Sequence, residues 1–278
     1  MLKNRIIPVI LLRNGVVVQS KRFQRYQPLG NPTTIVQRLS DWASDELIYL
    51  DISREQSYDL GRDDLRDGNA AELRTILREV SRRCFMPMAF GGGIRTLADV
   101  ATRIEGGADK AVINTQALAE PLFISECARE FGSQCVVVCI DARRTGDGGW
   151  QVFASGGRTA TGRSAADWAR EAQDRGAGEI LIQSIDRDGT GQGYDLDLVR
   201  SIVEAVRVPV IALGGVGRWE HFAEALAEGG AWAVAAANIF NYTENSVYKA
   251  KEYLFSQGAN VRAPSLGGRS PATCAAGV

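Results

Sequence analysis

The amino-acid sequence predicts a closed (β/α)8 barrel of the TIM type, built from two similar half-barrels. Three observations carry this: eight short β-branched runs, amphipathic stretches between most of them, and a strand–glycine turn–helix–glycine turn–strand pattern that occurs in both halves. At 278 residues the chain can bury roughly three-quarters of its extended surface as one large domain, which excludes a fibrous or disulfide-stapled molecule.

The strand-like runs fall at 6–12, 46–51, 85–90, 110–113, 135–141, 179–184, 208–213 and 232–236. Helical spacing of apolar residues marks 32–44, 69–81, 97–105, 121–131, 164–175, 196–206 and 219–227. Eight βα units in such a length favour a closed barrel over an open doubly wound sheet. The duplication pairs MPMAFGGGIRTLADVATRIEGGADKAVI, from Met86, with VPVIALGGVGRWEHFAEALAEGGAWAVA, from Val208. It also pairs DELIYLDIS with GEILIQSID, which places Asp51 and Ser184 at corresponding strand ends. Two longer insertions interrupt the pattern. The polar, charged stretch 53–68 and the Gly-rich stretch 142–163 would lie at the C-terminal ends of strands, the second as a small hairpin or mobile lid. The barrel is expected over 1–262, followed by a flexible tail over 263–278 with little fold content.

Charge narrows the class of partner. The 32 basic and 33 acidic residues leave a net charge of -1, so no global field draws the chain to nucleic acid or anionic lipid, and no nucleic-acid motif is present. Five cysteines without paired ligand spacing, no signal-cleavage pattern and no apolar run long enough to span a bilayer read as a reduced, cytoplasmic protein with no metal. The single histidine, His221, falls on an expected helix and reads as a solvated side chain, which gives no support to a zinc cluster or a Ser-His-Asp triad.

The strand ends carry the candidate chemistry. Gly91, Gly92 and Gly93 follow one strand and Gly214 and Gly215 follow its counterpart, so two backbone loops can point N–H groups at phosphates. Asn114 and Thr115 can add donors to one cradle, with Ala237 and Asn238 at the comparable stretch of the other. That pairing suits a long substrate with phosphate at both ends. Asp141 ends the fifth strand, where a carboxylate can hold or transfer a proton, and Asp186 and Asp188 sit in a polar loop after the sixth.

These residues resemble a known family, the cyclase subunit of imidazole glycerol phosphate synthase. The resemblance covers roughly residues 1–262 and rests on RIIP from Arg5, DELIYLDI from Asp45, FGGGIR from Phe90, GADKAVINT from Gly107, FGSQCVVVCIDARR from Phe131 and GAGEILIQSIDRDGTGQGYD from Gly176. It implies a (β/α)8 barrel that needs no cofactor and takes ammonia from a class I glutaminase docked on its N-terminal face. It implies a lyase-type synthase reaction in which ammonia adds to a phosphoribulosyl-formimino-aminoimidazole-carboxamide ribotide, releasing imidazole glycerol phosphate and aminoimidazole carboxamide ribotide. By the same resemblance Asp141 is one catalytic acid and Arg5, Glu46, Lys110 and Glu179 ring the ammonia entrance, while Asp51, Ser184, Asp186 and Asp188, from their strand-end and loop positions, are expected to orient substrate.

The sequence departs from the family at the other catalytic position. The first-strand acid expected in P-C-L-D is Leu11 in P-V-I-L, Gln19 stands where a Lys is usual, and Gln183, Leu213 and Asn238 replace small polar residues around the ligand loops. Leucine can neither accept nor donate a proton, so cyclisation should lose at least ~10²-fold. The chain in this respect resembles relatives of the subunit that lack the first acid, and that resemblance implies an ammonia-supplying subunit diverted to amidination of a surface-polysaccharide sugar with a separate amidotransferase. The alternatives are an ordinary histidine-pathway cyclase, a non-catalytic allosteric scaffold for the glutaminase, and a phosphosugar isomerase that would also need the missing acid.

Overall fold

Parallel strands covered by helices on their outer face read as near-continuous apolar runs, and pairing them until no edge remains produces a barrel. The computed structural model describes residues 2–42, 44–53, 73–242 and 244–264. Most of the polar insertion 53–68, and the tail from 265 onward, lie outside the described residues.

In chain order the elements are β1 (Arg5–Arg13), β2 (Val16–Lys21), β3 (Arg25–Gly30), α1 (Pro32–Asp41), β4 (Leu47–Asp51), α2 (Leu73–Ser81), β5 (Met88–Gly91), α3 (Leu97–Glu105), β6 (Lys110–Ile113), α4 (Thr115–Ala119) and α5 (Leu122–Phe131). Then follow β7 (Val136–Arg144), β8 (Trp150–Ala154), β9 (Thr159–Ser164), α6 (Ala165–Asp174), β10 (Glu179–Ser184), α7 (Leu196–Ala205), β11 (Val210–Leu213), α8 (Trp219–Ala227), β12 (Ala233–Ala236) and α9 (Ser246–Ser256). The parallel ring runs β1-β4-β5-β6-β7-β10-β11-β12, and β12 closes on β1 with Arg5 opposite Ala233 and Ile7 opposite Ala235. All eight expected barrel strands are present. Their ends differ where neighbours set them: β5 begins at Met88 rather than 85, and β7 continues to Arg144 because Asp141–Arg144 pair antiparallel with β8.

Helix starts follow local capping chemistry. Asn31 caps α1 by accepting the Thr33 N–H, with Pro32 at the first helical position, and Thr96 and Asp99 form a reciprocal capping box on α3. Stretch 142–163 forms the expected hairpin, β8–β9, as an extension of β7. A second hairpin, β2–β3, was not expected. Its turn into β2 is Asn14-Gly15 with φ of 51° and 78°, the left-handed pair of a type I′ turn. Also unforeseen are α4 and α9.

The repeat extends to the backbone. Gly92 and Gly214 both have φ +104°, and a Cβ there would lie 2.0 Å from the Asp51 carbonyl oxygen and 3.0 Å from that of Ser184, the two strand ends matched in sequence. At Gly92 no side chain fits the space.

Period-two alternation divides the core. Inward residues such as Ile7, Val9, Ile48, Val137, Leu181 and Ile211 fill the barrel, while Ile6, Tyr49, Phe90, Trp168 and Phe222 pack between strands and helices. At the N-terminal face Lys251 of α9 meets the buried Asp45 at 2.7 Å, and Asp45 also accepts the Ile6 N–H at 2.9 Å, so the last helix is pinned to the first strand.

Candidate functional site

The same alternation places chemistry at both ends of one bore. Arg5, Lys110 and Glu179 open β1, β6 and β10, and Glu46 immediately precedes β4, each two residues below an inward apolar side chain. They form a closed ring of alternating charge. Arg5 meets Glu46 and, at 2.8 Å, Glu179; Lys110 meets Glu46 at 2.8 Å and Glu179 at 3.0 Å. Glu46 is only 2% exposed, a position tolerable for a carboxylate because two cations share it.

Toward the C-terminal end Asp141 is buried; it lies within β7 rather than at its end, because the strand runs on to Arg144 by pairing with β8. Its carboxylate accepts from Asn114 Nδ2 at 2.8 Å and lies 3.7 Å from Cys139 Sγ, and no cation among the described residues neutralises it. Burial therefore pushes its pKa up to about 7, against the lowering effect of the Asn114 and Cys139 hydrogen bonds, with the Asp188 charge adding to the rise. Burial likewise drives the Cys139 thiol well above its ordinary range. A carboxyl titrating near neutrality can donate or accept a proton.

Directly across the ring, β1 presents Leu11, 6% exposed and packed with Val9, Val18 and Leu213. No described acid takes its place. Asp51 accepts the Ser53 N–H at 2.9 Å, and Asp186 is exposed, accepting the Arg144 N–H at 3.0 Å beside Arg143 at 3.8 Å. Asp188 is buried but committed to the β2–β3 hairpin: it accepts from Ser20 Oγ at 2.7 Å and from the Phe23 N–H at 3.2 Å. Burial raises its pKa, the hairpin donors opposing.

The two glycine cradles differ in their surroundings. Gly214, Gly215 and Val216 line a hollow at the mouth, open to solvent, with Leu11, Gln183, Asp188, Leu213, Ala237 and Asn238. Asn238 donates through Nδ2 to the Ser20 carbonyl at 2.9 Å. On the other side, beyond Gly92 and Gly93, Asn114 is held by Asp141, and Thr115 Oγ1 accepts the Ser155 N–H of the β8–β9 hairpin at 3.1 Å. Ser184 is buried at the end of β10. His221 corrects the expectation of a solvated side chain. It is 4% exposed, its Nδ1 accepts the Gly217 N–H at 3.1 Å, and burial lowers its pKa, because the loops carrying Gly193 and Gly217 fold over it. Among the described residues no cluster of His, Cys, Asp and Glu is placed to hold a metal ion, and no helix is long and apolar enough to cross a membrane.

A family model described as "Histidine biosynthesis protein" matches residues 5–246. The chain belongs to that family. The imidazole glycerol phosphate synthase subunit HisF of Hyphomonas neptunium (strain ATCC 15444) is 44% identical over 262 residues, which is 94% of this chain and 99% of that protein. For this member of the histidine biosynthesis family, the barrel, its half-barrel repeat and the family resemblance agree. The β2–β3 hairpin is the part of the site that sequence reasoning missed, although Asn14-Gly15 ahead of Val16, Val17 and Val18 was a usable signal.

Proposed function

We propose that this chain is the cyclase-type subunit of a glutaminase-coupled synthase, in which ammonia enters through the Arg5–Glu46–Lys110–Glu179 ring and reacts at the barrel mouth with a phosphorylated substrate. The observation that carries the reading is that one barrel has the charge ring at its N-terminal end, an apolar interior and a carboxyl near neutrality toward its C-terminal end. Neutral ammonia can traverse walls of Ile7, Val9, Ile48 and Leu181, whereas ammonium is opposed by desolvation and by Arg5 and Lys110 at the entrance. A class I glutaminase on the N-terminal face would supply it. Asp141 moves the proton at the mouth, and the Gly92–Gly93 and Gly214–Gly215 turns hold the phosphates. The HisF relative favours imidazole glycerol phosphate as the product.

One observation favours a second reading. Leu11 faces the mouth where the family resemblance places the second acid, which supports diversion of the ammonia to a separate sugar amidotransferase. The test supplies excess ammonium and the family's ribulosyl substrate to the purified chain and to its Leu11→Asp and Asp141→Asn variants. Turnover by the unmodified chain that Asp141→Asn abolishes supports the cyclase. Turnover only after Leu11→Asp supports diversion, and none from any folded variant refutes cyclisation.

A further inference from the structure

Among the described residues two donors reach the Asp141 carboxylate, one from each of two neighbouring segments. Asn114 Nδ2 donates to Oδ2 at 2.8 Å, and the Cys139 thiol donates to Oδ1 at 3.7 Å, within reach for the larger sulfur atom. The pleat sets up the second contact. Cys139 stands two residues before Asp141 on β7, so both side chains face the barrel interior, where Cys139 lies opposite Leu181 of β10 and packs in the cluster of Val112 and Val137. Asn114 is turned to the same carboxylate at the expense of its helix. It occupies the N-cap of α4, where an asparagine side chain usually accepts an N–H of the first turn, yet it makes no capping hydrogen bond and its Oδ1 is buried without a partner.

Of the four described cysteines, Cys139 alone donates to a carboxylate. Burial and the Asp141 charge push its thiol up, so the sulfur keeps its hydrogen. The other described titratable group acting on Asp141 is Asp188, whose charge opposes ionisation from the loop after β10. In register with Asp141, β10 offers the neutral Gln183 and β8 the ring of Phe153. Ionisation of Asp141 therefore leans on two neutral donors.

We propose that Cys139 is a positioning residue for Asp141: its thiol holds Oδ1 while Asn114 holds Oδ2, which fixes the carboxylate in one orientation and favours its ionised form. The proposal deepens the reading of Asp141 as the group that moves a proton at the mouth. Cys139 touches no substrate and acts only through Asp141.

The test is a carbon-13 NMR titration of the Asp141 carboxyl in the ligand-free full chain and in its Cys139→Ala, Cys139→Val and Cys139→Ser variants. Alanine and valine remove the donor and should each raise the Asp141 pKa by about half a unit; serine keeps a donor and should not raise it. In the unmodified chain an infrared S–H stretching band should move to lower wavenumber as Asp141 ionises between about pH 5.5 and pH 8.5, which checks the contact with no substitution at all. An Asp141 pKa unmoved in either apolar variant, a rise of equal size in the serine variant, or an S–H band indifferent to pH would overturn the role of Cys139. These readouts need no turnover, so they separate from the cyclase reading. Where the chain turns over the ribulosyl substrate, the pH profile of kcat/KM should shift with the Asp141 pKa in the apolar variants; a chain that shows the shifts and no turnover sinks the cyclase reading and keeps the Cys139–Asp141 contact.

Discussion

Replacing Asp141 by asparagine should stabilise the protein while impairing its chemistry, by an amount that grows with pH. In the folded state burial holds the carboxyl at about 7, against 3.8 for an unperturbed Asp. That gap of about 3 pH units, at ~1.4 kcal/mol each, sets a ceiling of ~4 kcal/mol on the cost of ionising Asp141 in place. The unfolded chain releases this proton near pH 4 and the native chain near pH 7. Between those values the native state binds more protons, so its stability falls as pH rises and levels off above 7. Asparagine removes the titration and still offers an amide oxygen to Asn114 Nδ2, the 2.8 Å donor of the present site. The stability difference between Asp141→Asn and the unmodified chain should therefore widen by ~2 kcal/mol from pH 5.5 to pH 8.5, a few degrees in Tm for a chain of this size. Scanning calorimetry across that range reads it directly. A difference that stays constant, or an Asn variant less stable at pH 8.5, would mean that the ionised carboxylate is welcomed by its surroundings, and the assignment of Asp141 as a neutral-range acid would fail.

Two further substitutions test the supporting structure. Glu46→Ala leaves Arg5 and Lys110 sharing Glu179 at the partly buried ring, and urea unfolding should show a loss of ~2–4 kcal/mol, with Glu46→Gln recovering part through volume and hydrogen bonding. Gly189→Ala places a Cβ 2.2 Å from the Ser20 carbonyl oxygen at φ +64°, so the β2–β3 hairpin should lift and become cleavable near Lys21 and Arg25 in limited proteolysis, at a cost of at least ~1 kcal/mol. An intact hairpin in that variant would refute its dependence on the Asp188–Gly189 loop.

The barrel was readable because its two signals are local: β-branched runs with inward residues at period two, and glycines at the turns where φ is positive. The same period makes the entrance ring recoverable, since Arg5, Lys110 and Glu179 each stand two residues before an apolar inward residue. Where the reading failed, long-range contact decided the outcome. Helix α9 buries Ser246 and Lys251 on its inner face, and Lys251 belongs there only because Asp45, more than two hundred positions earlier, receives its charge. His221 looks solvated on a helical wheel, yet the loops carrying Gly193 and Gly217 cover it. Strand β3 has no buried residue and holds its place by pairing with β2, so it offers no apolar alternation to detect. That Asp188 would serve the hairpin rather than stand free at the mouth depends on Ser20, a contact between segments far apart in sequence.

The two ends of the bore respond differently to loss of a charge, and the difference bears on function. At the entrance each charge is braced by two of the opposite sign, so removing one strands its partners in a semi-buried site and lowers stability. Stability alone accounts for a complete ring there. At the mouth the logic reverses. Leu11 contributes apolar burial among Val9, Val18 and Leu213, and a carboxylate in its place would have to be desolvated. Asp141 stands across from it as a buried carboxyl with no cation beside it among the described residues, which folding energetics would replace by an amide. A buried titratable group that costs stability at the C-terminal ends of barrel strands is a candidate for chemistry. Leu11 is accommodated by the fold, so under the proposed cyclase reading Leu11→Asp should alter turnover at the mouth while the Arg5–Glu46–Lys110–Glu179 ring, more than a barrel layer below, keeps its geometry.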